Sequence, residues 1–94
     1  MKIYGINGKM NLVGPRVRER RNILQLTQTQ LAARIQVNGV SLEQKAISRI
    51  ELGERVVADY ELLVLSQVLN VSVCWLLGVE ESGPPCSGGS IPSK

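Results

Sequence analysis

The 94-residue chain has no histidine and no phenylalanine. Without histidine, the commonest general base and the commonest metal ligand are both missing. The two cysteines, Cys74 and Cys86, have neither metal-site spacing nor the pattern of a disulfide framework. Cys74 sits in an apolar run and reads as a small core residue. Both thiols suit a reducing, cytoplasmic compartment. No nucleophile–base pair and no cluster of metal ligands stands out, so neither an enzyme nor a metal- or cofactor-dependent protein is expected. No apolar run approaches a membrane span, and no signal peptide is visible. Aromatics are confined to Tyr4, Tyr60 and Trp75. The core is therefore expected to consist of Leu, Ile, Val and Ala. At this length a single small domain is the expectation.

Charge is present and unevenly placed. Residues 1–55 hold ten basic and four acidic side chains, and residues 56–94 hold one basic and four acidic. A basic half joined to an acidic half points to one face directed at a polyanion, against the plainer reading of a solvated surface.

Residues 1–13 show no helical period and read as an N-terminal extension or a strand. The end, "EESGPPCSGGSIPSK", is rich in Gly, Pro and Ser and reads as a flexible tail over 80–94. Between them, residues 14–79 read as one helical domain. A first helix opens at Gly14-Pro15, since proline suits the first helical position. It carries Arg16, Arg18, Arg20 and Arg21, with Val17 and Leu24 facing inward. A second opens at Thr27, with Gln30 three residues on completing a capping box, and points Leu31, Ala32 and Ile35 inward. A third, at about 43–52, points Ala46, Ile47 and Ile50 inward and stops near Gly53. A fourth runs from about Asp59 to Leu69, with Leu62, Leu65 and Leu69 inward. A short fifth is capped by Ser72, stapled by Val71 on Leu76, and ended by Gly78. The expectation is an all-α domain of five short helices.

Two helices joined by a turn, the second polar at its start, have the geometry that fits a major groove. Three segments sharpen that reading: "LTQTQLA" (26–32), "ISRIELGER" (47–55) and "LNVSVCWLLG" (69–78). In this order they make residues 14–78 resemble the phage-repressor (Cro/XRE-type) helix-turn-helix family. The resemblance implies a compact five-helix bundle of the lambda-repressor-like type that binds double-stranded DNA in transcription control, usually as a homodimer. It implies base reading by Gln44, Lys45 and Ser48, and phosphate contacts by Gln28, Thr27, Arg49 and Arg16. Plainer readings stand beside these. Gln44 can complete a capping box with Ser41, and Arg49 can pair with Glu51 or Glu54. Gln28 can be an ordinary first-turn residue, and Lys45 is exposed either way. The rival function keeps the fold as an antitoxin-like or adaptor module for a protein partner.

The chain departs from the family pattern in three places. Arg20 stands at an often apolar position. Ala58 stands where a hydroxyl residue often caps the fourth helix, a cap that Asp59 is placed to take over. Leu31 and Ile47 are sixteen residues apart, about five more than usual for a motif whose helices a turn of 3–4 residues joins. Asn38-Gly39 is a strong helix stop. Three of the extra residues are therefore expected to lengthen the second helix, and the other two to fall in "GVSLEQ". With Gly39 ending the helix, Val40 can pack on Ile35, and Leu42 offers a second apolar anchor. Val37 is expected to share in this packing. The stretched join is expected to decorate the motif and hold it, without breaking it.

Overall fold

In the computed structural model, which describes residues 8–79, side-chain caps mark the starts of two of the helices. The expected tail at 80–94, Cys86 and the start of the N-terminal extension lie outside the described residues. Helix α1 is Gly14–Ile23, with Pro15 in its first turn. Helix α2 is Gln28–Val37. The Thr27 hydroxyl accepts the Gln30 N–H at 3.0 Å, and the Gln30 side chain accepts the Thr27 N–H at 2.8 Å, so the expected capping box is present. Helices α3 (Gln44–Glu51), α4 (Asp59–Leu69) and α5 (Val73–Leu77) complete the domain. Ser72 caps α5 by accepting the Trp75 N–H at 2.9 Å.

The stretched join is ordered. Gly39 has φ +92°, its N–H donates to Gln36 O at 2.9 Å, and the Val40 N–H donates to Ile35 O at 3.4 Å. This pair of bonds is a Schellman end. Val40 packs against the core and Leu42 is 3% exposed. Val37, by contrast, is 86% exposed and lines only a shallow surface groove with Arg34, Asn38 and Val68 of α4. The alternative Ser41–Gln44 capping box is absent: Glu43 holds the position before α3, and its side chain makes no cap bond. Leu42 precedes that position and Ile47 is the fourth helical residue; both lie buried in one cluster, the pairing of a hydrophobic staple. Burying Leu42 there leaves Ser41 too far back to cap.

The core consists of aliphatic side chains, with Trp75 at its edge. Val17, Leu31, Ile35, Ile47, Leu65, Leu69 and Leu76 are fully buried, and Trp75 is 7% exposed. Cys74 is exposed. In so short a helix Trp75 and Leu76 fill the inward side, so the expectation of a core cysteine fails. Helix α4 is capped in an unexpected way. Ala58 is the capping residue and Asp59 is already helical. The Glu61 carboxylate accepts the Ala58 N–H at 3.0 Å, and Asp59 does not take over the cap. Arg20, the departure in α1, donates from Nε to Leu69 O at 2.8 Å. It places a cation at the carbonyl end of α4, where the helix dipole favours it.

Residues before α1 also pack. Asn11 Nδ2 donates to Ile50 O at 3.1 Å and Arg55 O at 2.8 Å, while its Oδ1 accepts the Gly14 N–H at 2.8 Å. The Met10 N–H donates to Gly53 O at 2.9 Å. A Cβ on Gly14 would sit 2.3 Å from Ile50 O, so α1 approaches the end of α3 at a distance that only glycine permits.

Candidate nucleic-acid interface

The starts of α2 and α3 are tied by a chain of polar contacts. Gln44 Nε2 donates to Gln28 Oε1 at 2.6 Å, and Gln28 Nε2 donates to Glu51 Oε1 at 3.0 Å. Glu51 in turn accepts from Arg21, Nε to Oε2 at 2.6 Å and Nη2 to Oε1 at 3.0 Å. Arg21 Nη1 donates to Leu26 O at 2.8 Å, beside the start of α2. The Arg21 and Glu51 side chains are 12% and 3% exposed. Their bidentate bonding raises the Arg21 pKa above its ordinary value, against the opposing effect of burial. Arg21 is thus held as a cation, and the carboxylate between them aligns Gln28.

This chain leaves hydrogen-bonding capacity at its exposed end. An amide has a carbonyl oxygen and two N–H donors. Gln28 engages one donor of Gln44, which leaves the Gln44 oxygen and one N–H. Those two groups make the bidentate pair that matches the adenine edge in a major groove. The Gln28 contact therefore fixes the Gln44 amide without using up its remaining hydrogen-bonding groups.

The remaining expected site residues fall in three places. Lys45 and Arg49 are exposed and lie one helical turn apart on α3, lining a shallow groove with Ser41, Leu42, Glu43, Ala46 and Arg55. Ser48 is half-buried on the same helix. Glu51 is held by Arg21, so the plainer reading in which it pairs with Arg49 does not hold. Thr27 accepts the cap bond at the start of α2, and its hydroxyl proton can still donate. Arg16 is not brought to this face by its contacts. Its guanidinium lies 4.8 Å from the Trp75 ring centroid, and Nη1 donates to Trp75 O at 3.0 Å. A guanidinium over an indole face is a stabilising cation–π pair.

A second ion pair braces the loop after α3. Arg55 donates from Nη1 to Glu61 Oε1 at 2.8 Å and from Nη2 to Oε2 at 3.0 Å. The bonding to Arg55 holds the Glu61 carboxyl below its ordinary range, although burial opposes it. Part of the N-terminal basic excess is therefore neutralised within the domain, and Lys45 and Arg49 are the exposed cations on α3.

Sequence reasoning missed Arg21, Glu51, Arg55, Glu61 and Asn11 as residues that position this face. One signal was present. Glu51 stands four residues after Ile47, on the inward stripe, and a carboxylate there requires a buried partner. Among the described residues no group of His, Cys, Asp or Glu could hold a metal ion, and no helix is long and apolar enough to cross a membrane.

Comparison with known proteins bears on the family and the fold. The helix-turn-helix family model matches residues 17–76, more than half of the chain. Among curated proteins no sequence matches at a significant level. The chain is similar to the P22 c2 repressor protein, whose crystal structure was solved in complex with synthetic operator 9T in the presence of Tl+. The two are 31% identical with a TM-score of 0.64, over 74% of this chain and 98% of that one. The repressor is thus matched over nearly its whole length, and the chain belongs to the phage-repressor-like (Cro/XRE-type) helix-turn-helix family of DNA-binding regulators.

Proposed function

We propose that the protein is a sequence-specific transcriptional regulator that reads the major groove of double-stranded DNA with α3. The observation that carries this reading is the Gln44–Gln28 contact. It joins the starts of α2 and α3 at 2.6 Å while leaving the bidentate edge of Gln44 open to a base. The similarity to a repressor solved with its operator supports it. Lys45 and Arg49 supply electrostatic capture, Gln28 and Thr27 set register on the phosphates, and Gln44, Lys45 and Ser48 meet base edges. Exposed Leu77 and Val79 at the end of the domain support a homodimer, which would place two reading helices on half-sites about one helical turn apart.

The test is the salt dependence of binding to duplex DNA. Each neutralised phosphate contributes a slope of about −0.9 in log K against log salt. Affinity should fall steeply with salt, and Lys45→Ala or Arg49→Ala should each flatten the slope by about 1 if its charge meets a phosphate. No binding at low salt, or binding that ignores salt, would overturn the reading in favour of a protein partner.

A further inference from the structure

Helix α3 breaks a local rule at its head. The residue before a helix is normally Ser, Thr, Asp or Asn, whose short side chain accepts one of the unpaired N–H groups. Thr27 and Ser72 do so for α2 and α5, whereas the apolar Val13 before α1 and Ala58 before α4 have no side chain that could. Glu43 does not: it has the extended backbone of a capping residue, φ −79° and ψ 168°, but its side chain makes no cap bond. Its backbone is nevertheless held firmly. Leu42 before it is buried, and Glu43 O accepts the Ile47 N–H at 3.0 Å. A long carboxylate therefore projects from a fixed point and is exposed. It lines one groove with Lys45 and Arg49, yet neither pairs with it, since the ion pairs among the described residues are Arg21–Glu51 and Arg55–Glu61.

A carboxylate on a DNA-facing surface repels phosphate, so its place there calls for a donor. The bases differ in what they offer the major groove. Cytosine presents its N4 amino group, guanine and thymine present acceptors, and adenine pairs its amino group with the N7 acceptor. Only cytosine gives an ionised carboxylate a donor with no acceptor of its own beside it. The residues at the start of a reading helix are the ones that reach base edges. We propose that Glu43 is a specificity-determining residue that accepts from the amino group of a cytosine in the recognised site. This inference rests on the reading of α3 as the helix in the groove.

The plainer role for Glu43 is electrostatic, since a negative charge stabilises the start of a helix. The two roles separate in one experiment. The full chain and its Glu43→Gln and Glu43→Ser variants are each used to select bound duplexes from a random pool, and each is melted. The proposal expects one position with cytosine favoured by the full chain about fivefold or more. That preference should vanish with Glu43→Ser and move towards adenine with Glu43→Gln. Random-sequence DNA should bind both variants more tightly, because a repelling charge is gone. The Glu43→Ser melting midpoint should stay level or rise, because serine can cap. An enriched site whose every position is unchanged in both variants, with a lowered midpoint for Glu43→Gln, would overturn this inference alone and leave the electrostatic role. No enriched site for the unmodified chain would overturn the reading of α3 and this inference together.

Discussion

Glu51→Gln tests whether the buried ion pair organises the site. Glutamine keeps the shape of glutamate but loses its charge, and it turns an N–H2 group towards either Arg21 or Gln28. The pair is bidentate at 2.6 and 3.0 Å, with the carboxylate 3% and the guanidinium 12% exposed. Removing one partner of a buried pair costs about 3–5 kcal/mol, because the other charge stays buried. Arg21 keeps its bond to Leu26 O and is slightly exposed, which favours the low end, about 3 kcal/mol. In a domain of this size each kcal/mol moves the melting midpoint by about 4–8 °C, so the fall should be on the order of 12–24 °C. Urea titration followed by fluorescence of Trp75, which is 7% exposed, gives the free energy directly. The double variant Arg21→Met, Glu51→Met should lose less than the sum of the singles, because neither charge is stranded. A loss under about 1 kcal/mol for Glu51→Gln, the size expected of a surface bridge, would mean that the pair does not organise the site.

Two further outcomes concern the join and the loop. Gly39→Val should cost about 1–2 kcal/mol from the positive φ alone, since a Cβ there meets nothing within 4 Å; Val40→Ser should cost less, Val37→Ser should be near neutral, and thermal melts of the three check the order. Glu61 has its carboxyl pKa lowered from an ordinary 4.5, first by the bond from Arg55, so its contribution is fully present above about pH 4.5 and is lost as pH falls through the folded value. Melts between neutral and acid pH should therefore show a smaller acid loss for Glu61→Gln than for the unmodified chain, and equal losses would contradict the assignment.

Helix ends were legible in the sequence because capping is local. Thr27 with Gln30, Ser72 with Trp75, and the glycines at 39, 53 and 78 each act within a few residues, and the structure places them as expected. Local reading failed where a tertiary demand competed. Leu42 had to be buried, which put Glu43 rather than Ser41 at the position before α3. Glu61 is held by Arg55 and meets the Ala58 N–H, and Asp59 does not take over the cap. Val37 looked like packing material because it is apolar, but which side of the lengthened helix α4 covers depends on three dimensions. The long-range polar contacts were less legible still. Arg21 and Glu51 are 30 residues apart, and Arg20 reaches a carbonyl 49 residues away. Of the expected site residues, Gln28 and Gln44 meet directly, Lys45 and Arg49 share a groove, and Arg16 is engaged with Trp75. Composition and period do not encode such pairings.

The proposed function rests on sequence discrimination by the exposed face of α3. Its most direct test is the ratio of affinities for a selected site and for random duplex, measured for the unmodified chain, Gln44→Ala, Lys45→Ala and Gln28→Ala at one salt concentration. Gln44→Ala and Lys45→Ala should each lower the ratio by about 1–3 kcal/mol where the lost contact is bidentate. Gln28→Ala should weaken both kinds of DNA through loss of the phosphate contact proposed for it, and should lower the ratio only as far as Gln44 depends on it for alignment. Folded Gln44→Ala and Lys45→Ala variants that keep the full ratio would contradict that proposal.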